Sequence, residues 1–410
     1  MAVTENDVKF YKSETITDGA SNGGRMSYVE VPNNVKHNLF PRVTKSEREN
    51  GVTRYRKEFW ANRNASNEVA YGLLLAIITP SNGDDRFYIK PGTQVDTQGD
   101  LTDEGWLGGG KLNADAAAGA TQIQVLFEAD DYEIPNDRTL VITDETNTDF
   151  PKTANNQYTG ENIGTGDGSQ TSFSDTLEHP PVKKNSVTVH YTIGGTDYEG
   201  QDDGNGNITG THISSGSIDY ETGDISLTFD TAPDNGTAIT CDYTERCYSF
   251  SGNVATINLQ NQVAHDYSAS NTYVGVCIEA GDIEPSHADV NVTSTNGTFD
   301  DSQMSEDNQG TVYDEWTITF SDSQNFSCSG TYEGDVGTGS ITSDFSPTNP
   351  NTGKPYFTIP SGAWGGSWQA GDTVTFKTYP AAFPIWWKEV VPAGAGREEN
   401  NVVELYWYIE

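Results

Sequence analysis

The chain has 410 residues, and its 60 Asp and Glu against 23 Lys and Arg leave a formal net charge of −37. That balance argues against nucleic acid and anionic membrane surfaces as partners, because both are bound through Lys and Arg. With 34% hydrophobic and 11% aromatic residues the chain is too rich in large apolar side chains for a disordered acidic tail, and its length suggests about two to three domains.

Met1-Ala-Val-Thr-Glu-Asn-Asp7 lacks the basic and apolar regions of a signal peptide, so export by that route is not expected. A short helix is predicted over 45–50, where Thr44 and Glu47 form a capping box and Gly51 closes the turn. Val52-Thr-Arg-Tyr-Arg-Lys-Glu-Phe-Trp60 reads as a strand with Arg54, Arg56, Glu58 and Trp60 on one face and Tyr55, Lys57 and Phe59 on the other. The longest apolar run, Val69–Ile78, is too short to span a bilayer, which needs roughly 20 residues. Gly160–Gly168 reads as a flexible entry into a Gly/Asp/Thr-rich block. Within and beyond that block, 186–192, 224–229 and 372–377 alternate as strands, and Asn82-Gly83, Asp203-Gly204 and Asn235-Gly236 mark turns. Val402–Ile409 reads as a terminal strand suited to pairing.

No period of 20 to 50 residues recurs, which disfavours solenoids and propellers. The expected fold is all-β: several β-sandwich or β-barrel modules with little helix. Composition shifts divide it into an N-terminal β domain (1–157), an inserted immunoglobulin-like β module (158–245) and a C-terminal β domain (246–410).

Seven of the 23 cations fall between 42 and 63: Arg42, Lys45, Arg48, Arg54, Arg56, Lys57 and Arg63. In so acidic a body they form a candidate docking face for an acidic neighbouring subunit; the competing reading is local pairing with Glu47, Glu49 and Glu58. Aromatic residues gather late, among them Trp364, Trp368, Trp386, Trp387 and Trp407. Exposed Trp would suit sugar binding, but core or subunit-interface packing is the better reading, with Trp386, Trp387 and Trp407 as interface candidates.

Other motifs carry little chemistry. Asp202-Asp-Gly-Asn-Gly-Asn207 lacks the glycine and closing Glu of a calcium loop and reads as a hairpin turn. Cys241, Cys247, Cys277 and Cys328 are too sparse for a disulfide scaffold; Cys241 and Cys247 could bridge across a turn, but buried thiols are the simpler reading. The six histidines show no metal-ligand spacing, and the carboxylates are too numerous to nominate a catalytic pair. Six N-x-[ST] sequons, at Asn64, Asn207, Asn235, Asn291, Asn296 and Asn325, are what chance yields in a chain this rich in Asn, Ser and Thr. No catalytic residue, cofactor or metal site is expected.

The acidity itself is informative. Surface carboxylates repel across a Debye length of about 10 Å at 0.1 M salt but only about 3 Å at 1 M, so this charge suits a protein that works in brine.

Two sets of residues carry a family resemblance. Gly166–Phe173, Leu177–Val182, Ser186–Val189 and Gly216–Phe229 resemble small β modules of tailed-phage structural proteins. Ser13–Ser27 with Asn22-Gly-Gly-Arg25, Leu39–Trp60 and Gly353–Gly394 also resemble tailed-virus structural proteins. The resemblance implies a non-enzymatic virion component made in the host cytoplasm. It would be a homo-oligomer touching other virion proteins, in the tail or baseplate, the neck or a capsid-vertex decoration. The acidity points to a haloarchaeal host, and the inserted module would contact its surface. The alternatives are a cell-surface polysaccharide depolymerase and a surface adhesin.

Overall fold

The computed structural model describes residues 2–410 and is nearly all β, with thirty strands, one short α-helix and four 3-10 turns. The helix is the predicted one, Lys45–Asn50. Thr44 Oγ1 accepts the Glu47 N–H at 3.2 Å, and the Glu47 carboxylate accepts the Thr44 N–H at 2.6 Å. Gly51 ends it at φ 77°, which glycine adopts without a Cβ penalty.

The chain divides into two compact units. The first comprises residues up to Gly108 and Ile278–Glu410, the second Gly109–Cys277. These cuts differ from the composition boundaries at 157/158 and 245/246, because the 109–157 stretch is packed with the middle of the chain although its composition matches the N-terminal part.

In the first unit a five-stranded antiparallel sheet runs Gly23–Glu30, Val8–Thr15, Val52–Asn62, Ala382–Val391, Arg86–Pro91. Its centre joins segments more than 300 residues apart, with Arg54 opposite Glu389 and Arg56 opposite Trp387. Ala70–Thr79 forms the middle of a three-stranded sheet with Ile278–Ile283 and Glu404–Tyr408; Trp407 from its edge meets Trp60 edge-to-face at 5.8 Å. A second five-stranded sheet (Ser286–Thr293, Thr373–Tyr379, Asp314–Phe320, Asn325–Gly330, Gly334–Ser340) carries an aromatic core. There Phe320 stacks on Trp368 at 4.3 Å, and Trp316 Nε1 donates to the buried Thr378 hydroxyl at 2.8 Å. The late tryptophans are therefore mostly core, as their capacity to bury area suggests.

In the second unit a seven-stranded sheet is built from strands between Gly109 and Asp149 and between Tyr248 and Val276. Residues 157–244 form two further sheets, Gln157–Thr165, Ala238–Thr244, Thr188–Ile193, Thr196–Asp202, Ile208–Gly210 and Ser172–Thr176, Asp224–Phe229, Ile213–Ile218. They close on a core of their own that includes Val189, Tyr191, Leu227, Phe229 and Ile239. Asp224–Phe229 alternates as its sequence predicts, with Ile225, Leu227 and Phe229 inward. Asp203 turns the hairpin between Thr196–Asp202 and Ile208–Gly210 by accepting the N–H groups of Asn205 and Asn207, the Asx-turn chemistry expected for that loop.

All four cysteines are free and buried, and no bridge links Cys241 to Cys247. Burial pushes the Cys241 and Cys328 thiols up to about 12 and Cys247 to about 11, which keeps them protonated and unreactive.

Candidate functional site

The basic segment separates into two populations. Arg42 and Lys45 are exposed and Arg48 is half-exposed, and Lys45 reaches Glu49 one helical turn on at 3.4 Å. Arg54, Arg56 and Lys57 are 3%, 5% and 1% exposed. They lie in the interior of this chain and are not docking surface. Trp386 and Trp387 are likewise buried, while Trp407 and Arg63 are intermediate. Arg63 is spent within the chain, donating to the carbonyls of Asn308 and Gln309 at 3.1 and 2.7 Å. The docking face expected from sequence thus shrinks to Arg42, Lys45 and Arg48.

Charges enter the interior because Val52–Asn62 is a central strand covered on both faces. Each buried cation has an anion. Arg54 donates through Nε to Glu389 Oε2 at 2.7 Å, with Glu47 at 3.6 Å. Arg56 meets the Asp18 carboxylate at 2.8 Å and the Thr17 carbonyl at 3.1 Å. Lys57 Nζ lies 2.6 Å from Asp96 Oδ1. Local pairing therefore holds for Glu47 and Glu49, but Glu58 is engaged differently.

Glu58 is 4% exposed, and its Oε1 accepts a hydrogen bond from Trp387 Nε1 at 2.6 Å. Desolvation pushes its carboxyl up to about 7, against the pull of that bond. Burial also raises the Glu389 carboxyl, opposed by the Arg54 guanidinium. Sequence reasoning missed Glu389 and Asp96, and read Glu58 only as a local partner for the basic segment. A signal for Glu58 was present: aromatic residues on both faces of 52–60 mark a strand buried on two sides, where any carboxylate is desolvated.

A second feature of the first unit is a cleft of ≈ 140 Å³ whose lining includes Glu14, Arg25, Tyr28, Tyr313 and Glu333. Arg25 donates to Glu14 at 2.6 Å, to Glu333 at 3.0 Å and to the Tyr313 carbonyl at 2.9 Å, and Tyr332 covers its guanidinium at 4.4 Å. Two carboxylates against one cation leave the cleft net negative, and its volume is below the roughly 300 Å³ where pockets for drug-sized ligands begin. Its arrangement is that of a structural clamp between the Gly23–Glu30 strand and the segments carrying Tyr313 and Glu333.

Among the described residues no group of three or more His, Cys, Asp and Glu is placed to hold a metal ion, and no helix is long and apolar enough to cross a membrane. No protein-family model, curated protein or solved structure matches this chain.

Proposed function

We propose that the chain is a structural protein of a haloarchaeal tailed virus. It assembles in multiple copies in the tail or baseplate, in the neck or as capsid-vertex decoration, and its 158–245 module contacts the host. The observation that supports this reading is the segregation of charge over an all-β framework. Basic side chains of the central strand are drawn inside and neutralised one by one, so the exterior is left overwhelmingly anionic.

Such a surface is self-repelling in dilute buffer and tolerable where the Debye length is about 3 Å. Once repulsion is screened, copies can approach closely. The exposed Arg42 and Lys45 and the half-exposed Arg48 then supply short-range contacts to a neighbour's carboxylates. A stable framework of paired sheets with inert thiols suits a part made to persist rather than to turn over.

Quantitative mass spectrometry of purified virions tests the reading. The chain should be present in a fixed ratio to the capsid protein and survive washing at high salt. Its absence from virions, or release of saccharides from host envelope by the purified chain, overturns it. Deleting 158–245 should preserve assembly and reduce adsorption; normal adsorption by such virions removes the host-contact role.

A further inference from the structure

Lys57 is the one buried lysine among the described residues. Its Nζ is 2.6 Å from Asp96 Oδ1, and the rings of Phe59 and Trp386 lie 5.1 and 5.8 Å from it. It also donates to the carbonyls of Gly24 and Asp96 at 2.7 and 3.1 Å. The Asp96 carboxylate is held on both oxygens: the Thr93 N–H donates to Oδ1 at 3.0 Å and Trp386 Nε1 to Oδ2 at 2.8 Å. Arg54 and Glu389 are as close, but a guanidinium stays protonated and does not attack a carboxyl group. An amine can. Burial pulls the Lys57 amine down from its usual value, against the opposing pull of Asp96, and so brings a neutral amine–acid pair nearer.

We propose that Lys57 and Asp96 condense into an intramolecular amide, a covalent tie between the Val52–Asn62 strand and the loop after Arg86–Pro91. The ammonium proton crosses to Asp96, leaving a neutral amine facing a neutral carboxyl group. The proton sits on Oδ1, the oxygen nearest Nζ; the Nζ lone pair adds to Asp96 Cγ, and the negative charge that develops on Oδ2 meets the Trp386 Nε1–H. A proton from Nζ passes to the departing hydroxyl, the Cγ–O bond breaks, and water leaves on the side where Asp96 remains 17% exposed. One N–C bond forms, one C–O bond breaks and one water is released, with no oxidant, metal or cofactor consumed. Fixed contact between amine and carboxyl supplies the effective concentration that the same groups lack in solution. The remaining carboxylates bearing on Lys57 are Asp100 and Glu14.

The test is the intact mass of the full-length chain, purified in concentrated salt, held until the mass is constant, then denatured. The expected mass is that of the sequence less one water, and proteolysis should yield a branched peptide joining Lys57 to Asp96. Lys57→Arg should restore the full mass. Asp96→Asn should form the same bond with loss of ammonia and so converge on the mass of the linked wild-type chain. A wild-type mass equal to that of the sequence overturns the proposal and leaves an ion pair; so does a branch point at any other residue. Both readouts concern the chain alone, so they stand or fall independently of the virion reading.

Discussion

The Val52–Asn62 strand and the Asp224–Phe229 strand use polar residues in opposite ways. In Asp224–Phe229 alternation sends Ile225, Leu227 and Phe229 inward and leaves Asp224 and Ser226 on the outer face. That face is a lattice of cross-strand partners, Ser172 with Thr228, Ser174 with Ser226 and Thr176 with Asp224. Thr176 Oγ1 donates to Asp224 at 2.7 Å, and the Ser217 and Ser226 hydroxyls meet at 2.8 Å. In Val52–Asn62 four charged side chains are buried among aromatics, and their partners come from elsewhere in the chain. The Asp224–Phe229 strand is stabilised by what it hides from water. The Val52–Asn62 strand depends on an anion for each of Arg54, Arg56 and Lys57, and on a hydrogen bond from Trp387 for Glu58.

The contrast predicts which changes hurt most. Glu389→Ala leaves Arg54 buried with only the more distant Glu47 and should cost about 3–5 kcal/mol, the usual penalty for orphaning a buried charge. Denaturant unfolding at low and high salt measures it, and the cost should persist in brine because interior pairs are poorly screened. A cost that disappears at high salt would place this pair among surface ion pairs.

Leu227→Ala tests the apolar strand and should cost about 2–5 kcal/mol through lost burial and a residual cavity. Amide exchange should rise mainly in 157–244. Uniform exchange across both strands would show that their stabilities are not separate.

Glu58 makes the contrast dependent on pH. Its folded value near 7 lies above the ordinary 4.5, so the folded state holds the proton more tightly than the unfolded chain does. The stability it contributes is fully present below about pH 4.5 and is lost as pH rises through 7, to the extent of roughly 3 kcal/mol. Glu58→Gln keeps an acceptor for Trp387 Nε1 and abolishes that slope. The variant should match wild type near pH 5 and melt higher near pH 8. Equal melting at both values would mean that Glu58 is solvated.

The smallest effect belongs to the exposed helix. Thr44→Ala removes one side of the capping box and should cost about 1 kcal/mol. A much larger loss would mean that the helix anchors the Arg54–Glu47 contact as well as its own end.

Legibility in the sequence followed the range of the interaction. The capping box at Thr44 and Glu47, the Asp203 turn and the alternation of Asp224–Phe229 depend on neighbours within a few residues, and all three stand in the structure as read. The basic cluster at 42–63 failed as a single docking face because its fate was decided at a distance. Glu389 lies 335 residues from Arg54, and Asp96 lies 39 residues from Lys57. The boundary at 108/109 was invisible for a related reason, since sheet membership changes there while composition does not.

By itself, then, the order of residues determined the β character, the one helix, the turns and the excess of negative charge, because backbone preference and side-chain periodicity act locally. Tertiary structure alone decided which cations are interior, which carboxyl groups are desolvated and which residues share a sheet. Those outcomes depend on what covers a strand once distant segments have paired, and burial, unlike alternation, is a property of the assembled neighbours.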